Sequence, residues 1–301
     1  MRLDVICFGA LNVDRLYKVN QIVGRDEESF VKGFREFPGG SAANTAVGLA
    51  RLGIRTGYIG KVSQDREGRL LLRDFEEEGV DAGGVIVSEG GRSGAVMGYV
   101  DAKGERALYV DPGVNDSLEF EEINLKYAAS AKFLHLTSFV GSKPFEAQKR
   151  LVKGLPDDVK VSLDPGEIYA RKGFATLKPL IERSFVMLPN ENEVRLLMGQ
   201  RCEEGSKVLI EAGVKVVAVK LGGRGCYVTD GRESHLVQPY RVRVVDTTGA
   251  GDAFCTGFLY GLIKNKGLQA SGRLGNFVAS RCIRRVGARE GLPHVSDLPD
   301  L

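Results

Sequence analysis

The stretch VVDTTGAGDAFCTGF, from Val244 to Phe258, combines glycines and carboxylates at the start of an apolar run that predicts a helix beginning near Ala250. The first turn of a helix leaves its amide N–H groups unpaired, and these groups carry about half a unit of positive charge. Because Gly249 and Gly251 lack side chains, a phosphate can approach this backbone closely. The stretch therefore predicts a phosphate-binding turn.

Asp252 needs a separate explanation, because a carboxylate beside a phosphate is repulsive. A sugar hydroxyl that attacks a phosphoryl group must lose its proton as the new bond forms, and a positioned aspartate that takes this proton contributes about 10²–10⁴ in rate. The amides of the turn would then stabilise the charge that builds on the transferred phosphoryl oxygens. The alternative is that Asp252 is only a first-turn aspartate favoured by the helix dipole.

Strand-like and helix-like patterns alternate along the chain, and these elements must position the turn. Runs such as LDVICFGA and VKVVAVKLG predict buried strands, while SAANTAVGLARLG predicts a helix with Ser41 as its N-cap and Gly53 at its end. Alternating units of this size predict an α/β fold, a doubly wound and mostly parallel sheet with helices on both faces. Ligands of such sheets bind beyond the carboxyl ends of the strands.

Two segments break the alternation, residues 13–37 and residues 93–113. The first is polar and β-like without a helical period. The second has two alternating runs on either side of Ala102-Lys103-Gly104, which is a hairpin signal. Together the segments predict a small antiparallel sheet that stands off the main sheet as a lid. Since no repeat or linker interrupts the chain, we expect a single domain over residues 1–301.

Composition limits the class of protein. The chain has 301 residues, 43% of them hydrophobic, which allows a sizeable core, and its net charge of +3 gives no reason to expect a nucleic-acid partner. Its five cysteines form no C-x-x-C pair, which predicts reduced thiols in a cytoplasmic protein. Asp4 interrupts the first apolar run and no run reaches about 18 residues, so neither a signal peptide nor a membrane span is expected.

Two common nucleotide-binding classes do not fit the sequence. It contains no G-x-x-x-x-G-K-S/T motif, which excludes a P-loop kinase. Its first strand ends in GALNVD instead of G-x-G-x-x-G, which argues against a Rossmann dehydrogenase.

The string Asp246-Thr-Thr-Gly-Ala-Gly-Asp252 resembles the C-terminal signature of the ribokinase family, also called the PfkB carbohydrate kinases. The resemblance covers nearly the whole chain and keeps the order of the family's motifs. It implies the ribokinase-like fold and a kinase that uses ATP and Mg²⁺ to phosphorylate a hydroxymethyl group of a sugar. In that family the last aspartate is the catalytic base, here Asp252, and the anion hole falls on Gly249, Ala250 and Gly251.

Further motifs of the family imply an acceptor site near the N-terminus. GALNVD is similar to the family's first strand end, where Asn12 and Asp14 would hold sugar hydroxyls, although the same residues also suit an Asx turn. PGGSAANTA resembles the N-terminal signature and implies acceptor contacts from Gly40, Ser41 and Asn44. Relatives that act on ribose often carry lysine just after the glycine pair. This chain has Ser41 there, as in some nucleoside kinases.

The resemblance also implies a nucleotide site. In KLGGRGCYV, the residues that match the family's nucleotide-side loop are Lys220, Gly222 and Gly225, and a simple Gly-Gly-Arg-Gly turn is the alternative. Asn276 matches an adenine-side asparagine of relatives, although a lone helix asparagine is otherwise usually a surface or capping residue.

Metal ions are implied at two places. PNENEV matches the family's N-x-x-E motif through Asn190 and Glu193, which act in relatives through Mg²⁺-bound water; an ordinary capped helix start is the alternative. Asp246 and Thr248 match part of a monovalent-cation site, so K⁺ is a further expected ion.

The substrate stays open between ribose-like sugars, hexoses and nucleosides. The main alternative is therefore a nucleoside kinase of the same family, and a second is a non-catalytic sugar- or nucleoside-binding protein on the same fold. Gly166 and Glu167 stand where kinases of 2-keto-3-deoxygluconate typically have other residues, which disfavours that acid sugar. In many relatives the lid pairs with its copy in a second subunit, and the partly apolar hairpin near Val96 to Val110 suits a homodimer.

Overall fold

A computed structural model describes residues 2–299 as a nine-stranded main sheet, a separate four-stranded sheet and surrounding helices. The strands are β1 (Leu3–Phe8), β2 (Asn12–Val19), β3 (Val31–Gly39), β4 (Thr56–Ser63), β5 (Asp81–Ser88), β6 (Gly94–Val100), β7 (Arg106–Asp111), β8 (Ala131–Thr137), β9 (Lys160–Asp164), β10 (Ser184–Met187), β11 (Val216–Lys220), β12 (Cys226–Thr229) and β13 (Ser234–Val237). The helices are α1 (Ser41–Arg51), α2 (Arg66–Glu77), α3 (Leu125–Ala128), α4 (Ser142–Gly154), α5 (Gly166–Ala170), α6 (Phe174–Arg183), α7 (Glu191–Met198), α8 (Cys202–Glu211), α9 (Ala250–Ile263) and α10 (Leu268–Cys282).

The main sheet has the strand order β13-β12-β11-β10-β9-β8-β1-β4-β5, and only the pairings of β12 are antiparallel. Both of its faces are buried. In β1, Val5 and Cys7 belong to one apolar cluster with residues of α1 and α9, whereas Ile6 and Phe8 belong to another with residues of α4. Burial on both faces explains why the strands are continuously apolar, and the expected doubly wound, mostly parallel sheet is confirmed.

The smaller sheet has the order β3-β2-β6-β7 and corresponds to the expected lid. Its two outer pairings are antiparallel, as expected, whereas the central pair of β2 and β6 runs parallel. The parallel pair arises because β2 follows β1 and β6 follows β5, and these parallel strands end at the same edge of the main sheet. Asn12 and Asp14, the first polar residues of β2, therefore lie where the lid leaves that edge.

The start of α1 differs from the expectation. Its N-cap is Gly40, and Ser41 is the first helical residue. Gly40 has a φ of 103°, and a Cβ added to it would lie 2.2 Å from the carbonyl oxygen of Ala10. Because only glycine tolerates both conditions, the N-cap is Gly40 and the helix starts one residue earlier than capping statistics indicate. The end is as expected, since Gly53 follows α1 with a φ of 75°.

Between residues 2 and 299, the structure contains no helix that is both long enough and apolar enough to span a membrane.

Candidate active site

The N-terminal turns of α1 and α9 meet, although the two helices are far apart in the sequence. The Asn44 side chain donates from Nδ2 to Oδ2 of Asp252 over 2.8 Å. The helices can approach because Gly48 faces Thr256, and a Cβ at Gly48 would lie 2.6 Å from the hydroxyl of Thr256. This close packing sets the distance between Asn44, which is expected to bind the sugar, and Asp252, the expected base.

Asp252 sits on the first turn of α9, where it is half-buried. Loss of hydration raises the pKa of Asp252 to about 7, and the hydrogen bond from Asn44 opposes this shift. The charge of Asp164 raises the pKa further and that of Lys220 lowers it. A carboxyl group with a pKa near neutrality is suited to accept and release a proton.

Asp14 is the second carboxylate of the site, and its charge contributes to the raised pKa of Asp252. Burial raises the pKa of Asp14 to about 6, against the effect of the Arg289 guanidinium. Its neighbour on β3 is Gly39, where an added Cβ would lie 2.2 Å from Oδ2 of Asp14. Asn12 is held by Asn115, whose Nδ2 donates to Oδ1 of Asn12 over 3.1 Å.

The glycine turn before α9 is held in place from two sides. Gly249 is the N-cap of α9 in a left-handed conformation, with a φ of 74°, and a Cβ there would lie 2.5 Å from the Cβ of Ala288. Asp246 accepts hydrogen bonds from the amide and the hydroxyl of Thr248 and from the amide of Gly287. Although burial raises the pKa of Asp246, the backbone hydrogen bonds from Gly287 and Thr248 outweigh it and lower this pKa.

A buried ion pair lies beneath the turn. Lys220, at the end of β11, donates from Nζ to Oδ2 of Asp164 over 2.6 Å, and a Cβ added to Gly251 would lie 3.5 Å from the same Nζ. The Cys255 thiol also contacts Asp164, with 3.3 Å between Sγ and Oδ2. The positively charged ammonium group of Lys220 therefore lies beside the backbone that is expected to receive phosphate.

We predict that Lys220→Met lowers the free energy of unfolding by about 3–5 kcal/mol, because it leaves the Asp164 carboxylate buried without its partner. Urea denaturation measures the loss, and the double variant Asp164→Asn/Lys220→Met should recover much of it. The matched control is Lys178→Met, which breaks only an exposed ion pair with Glu182. Equal losses in the two lysine variants would contradict a structural role for the buried pair.

Asn190 and Glu193 form a capping box at the start of α7. Glu193 accepts from the Asn190 backbone amide over 2.8 Å and from its side chain over 2.6 Å, while its own amide donates to the Asn190 side chain. Only 5% of the Glu193 surface is exposed, and burial raises the pKa of its carboxyl group. The charge of Lys220 opposes that shift, so this capping box borders the same buried charges as Asp252.

The expected nucleotide-site glycines lie between β11 and β12. Gly222 opens a short 3-10 turn and Gly225 ends it with a φ of 88°, where a Cβ would lie 2.0 Å from the carbonyl oxygen of Val237. Asn276 of α10 donates from Nδ2 to the carbonyl oxygens of Val237 and Gln238. Gly225 and Asn276 thus converge on the same backbone segment at the end of β13.

Sequence reasoning missed Arg289, Asp74 and Asp164. Arg289 lies in the loop after α10 and donates from Nε to Oδ1 of Asn44 over 2.8 Å. It also forms an ion pair with Asp74 of α2. A strand that stops at Asp164 was a usable signal, since polar residues at strand ends mark sites in such folds. Nothing in the local sequence distinguishes Arg289 or Asp74 from ordinary surface charges.

A doubly wound sheet, a lid and a half-buried carboxylate at a glycine-rich helix start are compatible with a kinase of small-molecule alcohols. Comparison with known proteins agrees. The model of the family described as pfkB family carbohydrate kinase matches residues 2–295, and the chain belongs to this family. It is a sugar or nucleoside kinase, a phosphotransferase with an alcohol group as acceptor.

Individual relatives support the same class. An uncharacterized sugar kinase of Archaeoglobus fulgidus is 48% identical over 254 residues, which cover 83% of this chain and 100% of that protein. An ATP-dependent ribose-1-phosphate kinase of Halopiger xanaduensis is 32% identical over 95% of this chain and 93% of its own length. The structure of ribokinase from Thermotoga maritima superposes with a TM-score of 0.88 at 26% identity and covers 98% of this chain and 97% of its own.

Proposed function

We propose that the protein transfers the γ-phosphoryl group of ATP to a hydroxymethyl group of a ribose-like or hexose sugar. The observation that carries this proposal is the Asp252 carboxyl group, which combines a pKa near 7 with a position on the first turn of α9 and a hydrogen bond to Asn44. As general base, Asp252 would take the proton of the attacking hydroxyl. The amides of Gly249, Ala250 and Gly251 would bind the phosphoryl oxygens as an anion hole.

The acceptor is assigned to the residues around Asp14. Asn12, Asp14 and Asn44 offer amide and carboxylate groups to hydroxyls, and the backbone at Gly40 and Ser41 borders them at the start of α1. The lid strands, within residues 13–37 and 93–113 of a single domain, would cover the bound sugar. Exclusion of water by the lid would limit transfer of the phosphoryl group to water.

ATP is assigned to the segment from Lys220 to Gly225 and to Asn276, beside the anion hole. Asn190 and Glu193 present oxygen donors of the type that Mg²⁺ prefers, and they would act through its bound waters. The ion would neutralise charge on the phosphates. Asp246 and Thr248 present oxygens that suit a monovalent cation such as K⁺. The free thiols of the five cysteines support a cytoplasmic location.

A nucleoside kinase is the second candidate. Phe37 and Val96 pair in register with Asp14 on the neighbouring lid strands, so their side chains project from the same face of the lid. An apolar surface beside hydroxyl-binding groups suits a nucleoside base as well as a sugar ring.

A panel assay tests the proposal. ATP consumption and product mass are measured with ribose, hexoses, ribose 1-phosphate and nucleosides, and each active acceptor is repeated with Asp252→Asn. The proposal requires transfer to at least one acceptor that is lost in the variant. Tight binding of an acceptor without any transfer would instead favour the non-catalytic binding protein.

We predict that kcat/KM rises about tenfold per pH unit below pH 7 and levels off above it, because the base must be deprotonated and its pKa lies at about 7. Initial rates between pH 5 and 9 at low acceptor concentration measure this limb. An acid limb near pH 4, the ordinary range of an aspartate, would show that Asp252 is not the group that titrates.

We further predict a homodimer through the lid. Several large apolar side chains of the lid are exposed, among them Phe34 (52%), Leu108 (52%) and Tyr109 (62%), and an uncovered apolar sheet favours pairing. Light scattering at micromolar concentration should give twice the monomer mass, and Leu108→Lys should give the monomer. The control is Leu236→Lys, at a leucine on the edge strand β13 that is slightly more exposed (60%) than Leu108. A monomeric parent protein would refute this prediction.

A further inference from the structure

Arg289 is a buried arginine whose three nitrogen atoms all point at groups of the acceptor site or its support. Only 6% of its surface is exposed. Its Nε donates to Oδ1 of Asn44 over 2.8 Å, its Nη1 pairs with Asp74, and its Nη2 donates to the carbonyl oxygen of Gly39 over 3.5 Å. The guanidinium is therefore fixed at three points, on α1, on α2 and on the end of β3.

The Asn44 amide has two orientations, and its neighbours accept only one of them. Oδ1 faces the N–H of Arg289 and Nδ2 faces the carboxylate of Asp252. A flipped amide would set N–H against the guanidinium and the carbonyl oxygen against the carboxylate, so both contacts would become repulsive.

We propose that Arg289 is a positioning residue that locks the Asn44 amide, so that Asn44 presents only N–H donors to Asp252 and to the acceptor hydroxyl. This inference deepens the kinase proposal and rests on it for its catalytic meaning. A hydroxyl that accepts a hydrogen bond from Asn44 must direct its own proton elsewhere. The nearby acceptors for that proton are the carboxylates of Asp252 and Asp14, so the lock aligns the hydroxyl for deprotonation.

The lock acts among other charges that face Asp252. Asn44 contacts Asp252 from α1, and Arg289 lies on the other side of the Asn44 amide. The titratable groups that act on Asp252 or are affected by it are Asp14 on β2, Tyr58 on β4, Asp164 on β9, Lys220 on β11, Cys255 on α9 and Cys282 on α10. The Arg289 charge also acts on Asp14 and Tyr58, and both the methionine and the glutamine variant remove that charge. The difference between these two variants in the titration of Asp252 therefore reports on the orientation of Asn44.

Two substitutions of Arg289 separate the effect of its hydrogen bond to Asn44 from the effect of its side-chain size. In Arg289→Gln, Nε2 takes the place of the arginine Nε and can still donate to Asn44, whereas Arg289→Met places a methyl group there. Both are made in an Asp74→Asn background, so that neither leaves a buried charge unpaired. The control is Arg51→Met, since Arg51 pairs with Glu78 and donates to the Arg289 carbonyl oxygen without touching Asn44.

The first measurement is the carboxyl titration of Asp252 by ¹³C NMR, assigned with Asp252→Asn. Arg289→Met should raise the midpoint by about one pH unit relative to Arg289→Gln, because a misoriented amide no longer stabilises the charged form. Arg51→Met should leave the midpoint in place. Equal midpoints in the methionine and glutamine variants would overturn the proposal, and so would a shift of the same size in Arg51→Met.

The second measurement is kinetic, with the acceptor found in the panel assay. Arg289→Met should lower kcat/KM at least about tenfold further than Arg289→Gln, with a raised KM for the acceptor and an unchanged KM for ATP. Equal kinetics in these two folded variants would overturn the proposal. If the parent protein transfers no phosphoryl group, the kinase proposal fails, and the NMR titration still decides whether Arg289 orients Asn44.

Discussion

Asp252→Asn is expected to lower kcat by a factor of about 10²–10⁴ at saturating ATP and acceptor. Asparagine has the same size and can keep a hydrogen bond to Asn44, but it cannot take the proton of the attacking hydroxyl. The substitution also removes a carboxylate from a poorly hydrated position, so the folded state should not lose stability. The expected loss is therefore one of chemistry and not of folding.

Three measurements separate these effects for Asp252→Asn: kcat, the thermal unfolding midpoint, and ATP affinity by calorimetry. The control is Asp74→Asn, because Asp74 reaches Asp252 only through Arg289 and Asn44. Asp74→Asn should lower kcat far less than Asp252→Asn does. If Asp252→Asn kept its kcat within about threefold of the parent value, another group would have to be the base.

Gly251→Ala is expected to lower kcat/KM by about 10² while the protein stays folded. Beyond its own helix, and among the residues that the structure describes, the nearest neighbour of an added Cβ is the Lys220 side chain, with an ordinary distance of 3.5 Å to Nζ. Alanine also suits a helix better than glycine. The methyl group would, however, narrow the space beside the amides that we propose bind phosphate. Gly249→Ala should behave differently, because its left-handed φ and its 2.5 Å approach to Ala288 also cost stability.

The matched control for Gly251→Ala is Gly267→Ala, the same change at the start of the neighbouring helix α10, where an added Cβ meets nothing within 4 Å. Steady-state kinetics should separate the two variants, and thermal unfolding should not. Full activity in Gly251→Ala would mean that the γ-phosphoryl group does not bind against this turn.

The sequence allowed prediction of those features that depend on neighbours along the chain. The glycine turn predicted a helix at Ala250, and α9 begins there with Gly249 in the left-handed conformation. The alternation of elements predicted the main sheet, and the hairpin signal predicted β6 and β7. The start of α1 was placed wrongly because the close approach of Gly40 to Ala10 is a tertiary contact that local capping preferences do not contain.

Residues that act through distant partners escaped prediction for the same reason. Arg289 and Asp74 are separated by 215 positions, and each is an unremarkable charge in its own segment. Their importance comes only from the packing of α2 and of the C-terminal loop against α1. Asp252 and Asp14 could be proposed from the sequence because each belongs to a short string of residues whose types and order carry chemical meaning.

The hydrogen bond between Arg289 and Asn44 also constrains the order in which the protein folds during synthesis. Asn44 and Arg289 are 245 positions apart, so Arg289 cannot orient the amide until the segment that contains Arg289 has left the ribosome. A nascent chain can pair the early strands and form α1 before Arg289 is available to orient the Asn44 amide. We expect a product that is truncated before Arg289 to form the early elements without orienting the Asn44 amide.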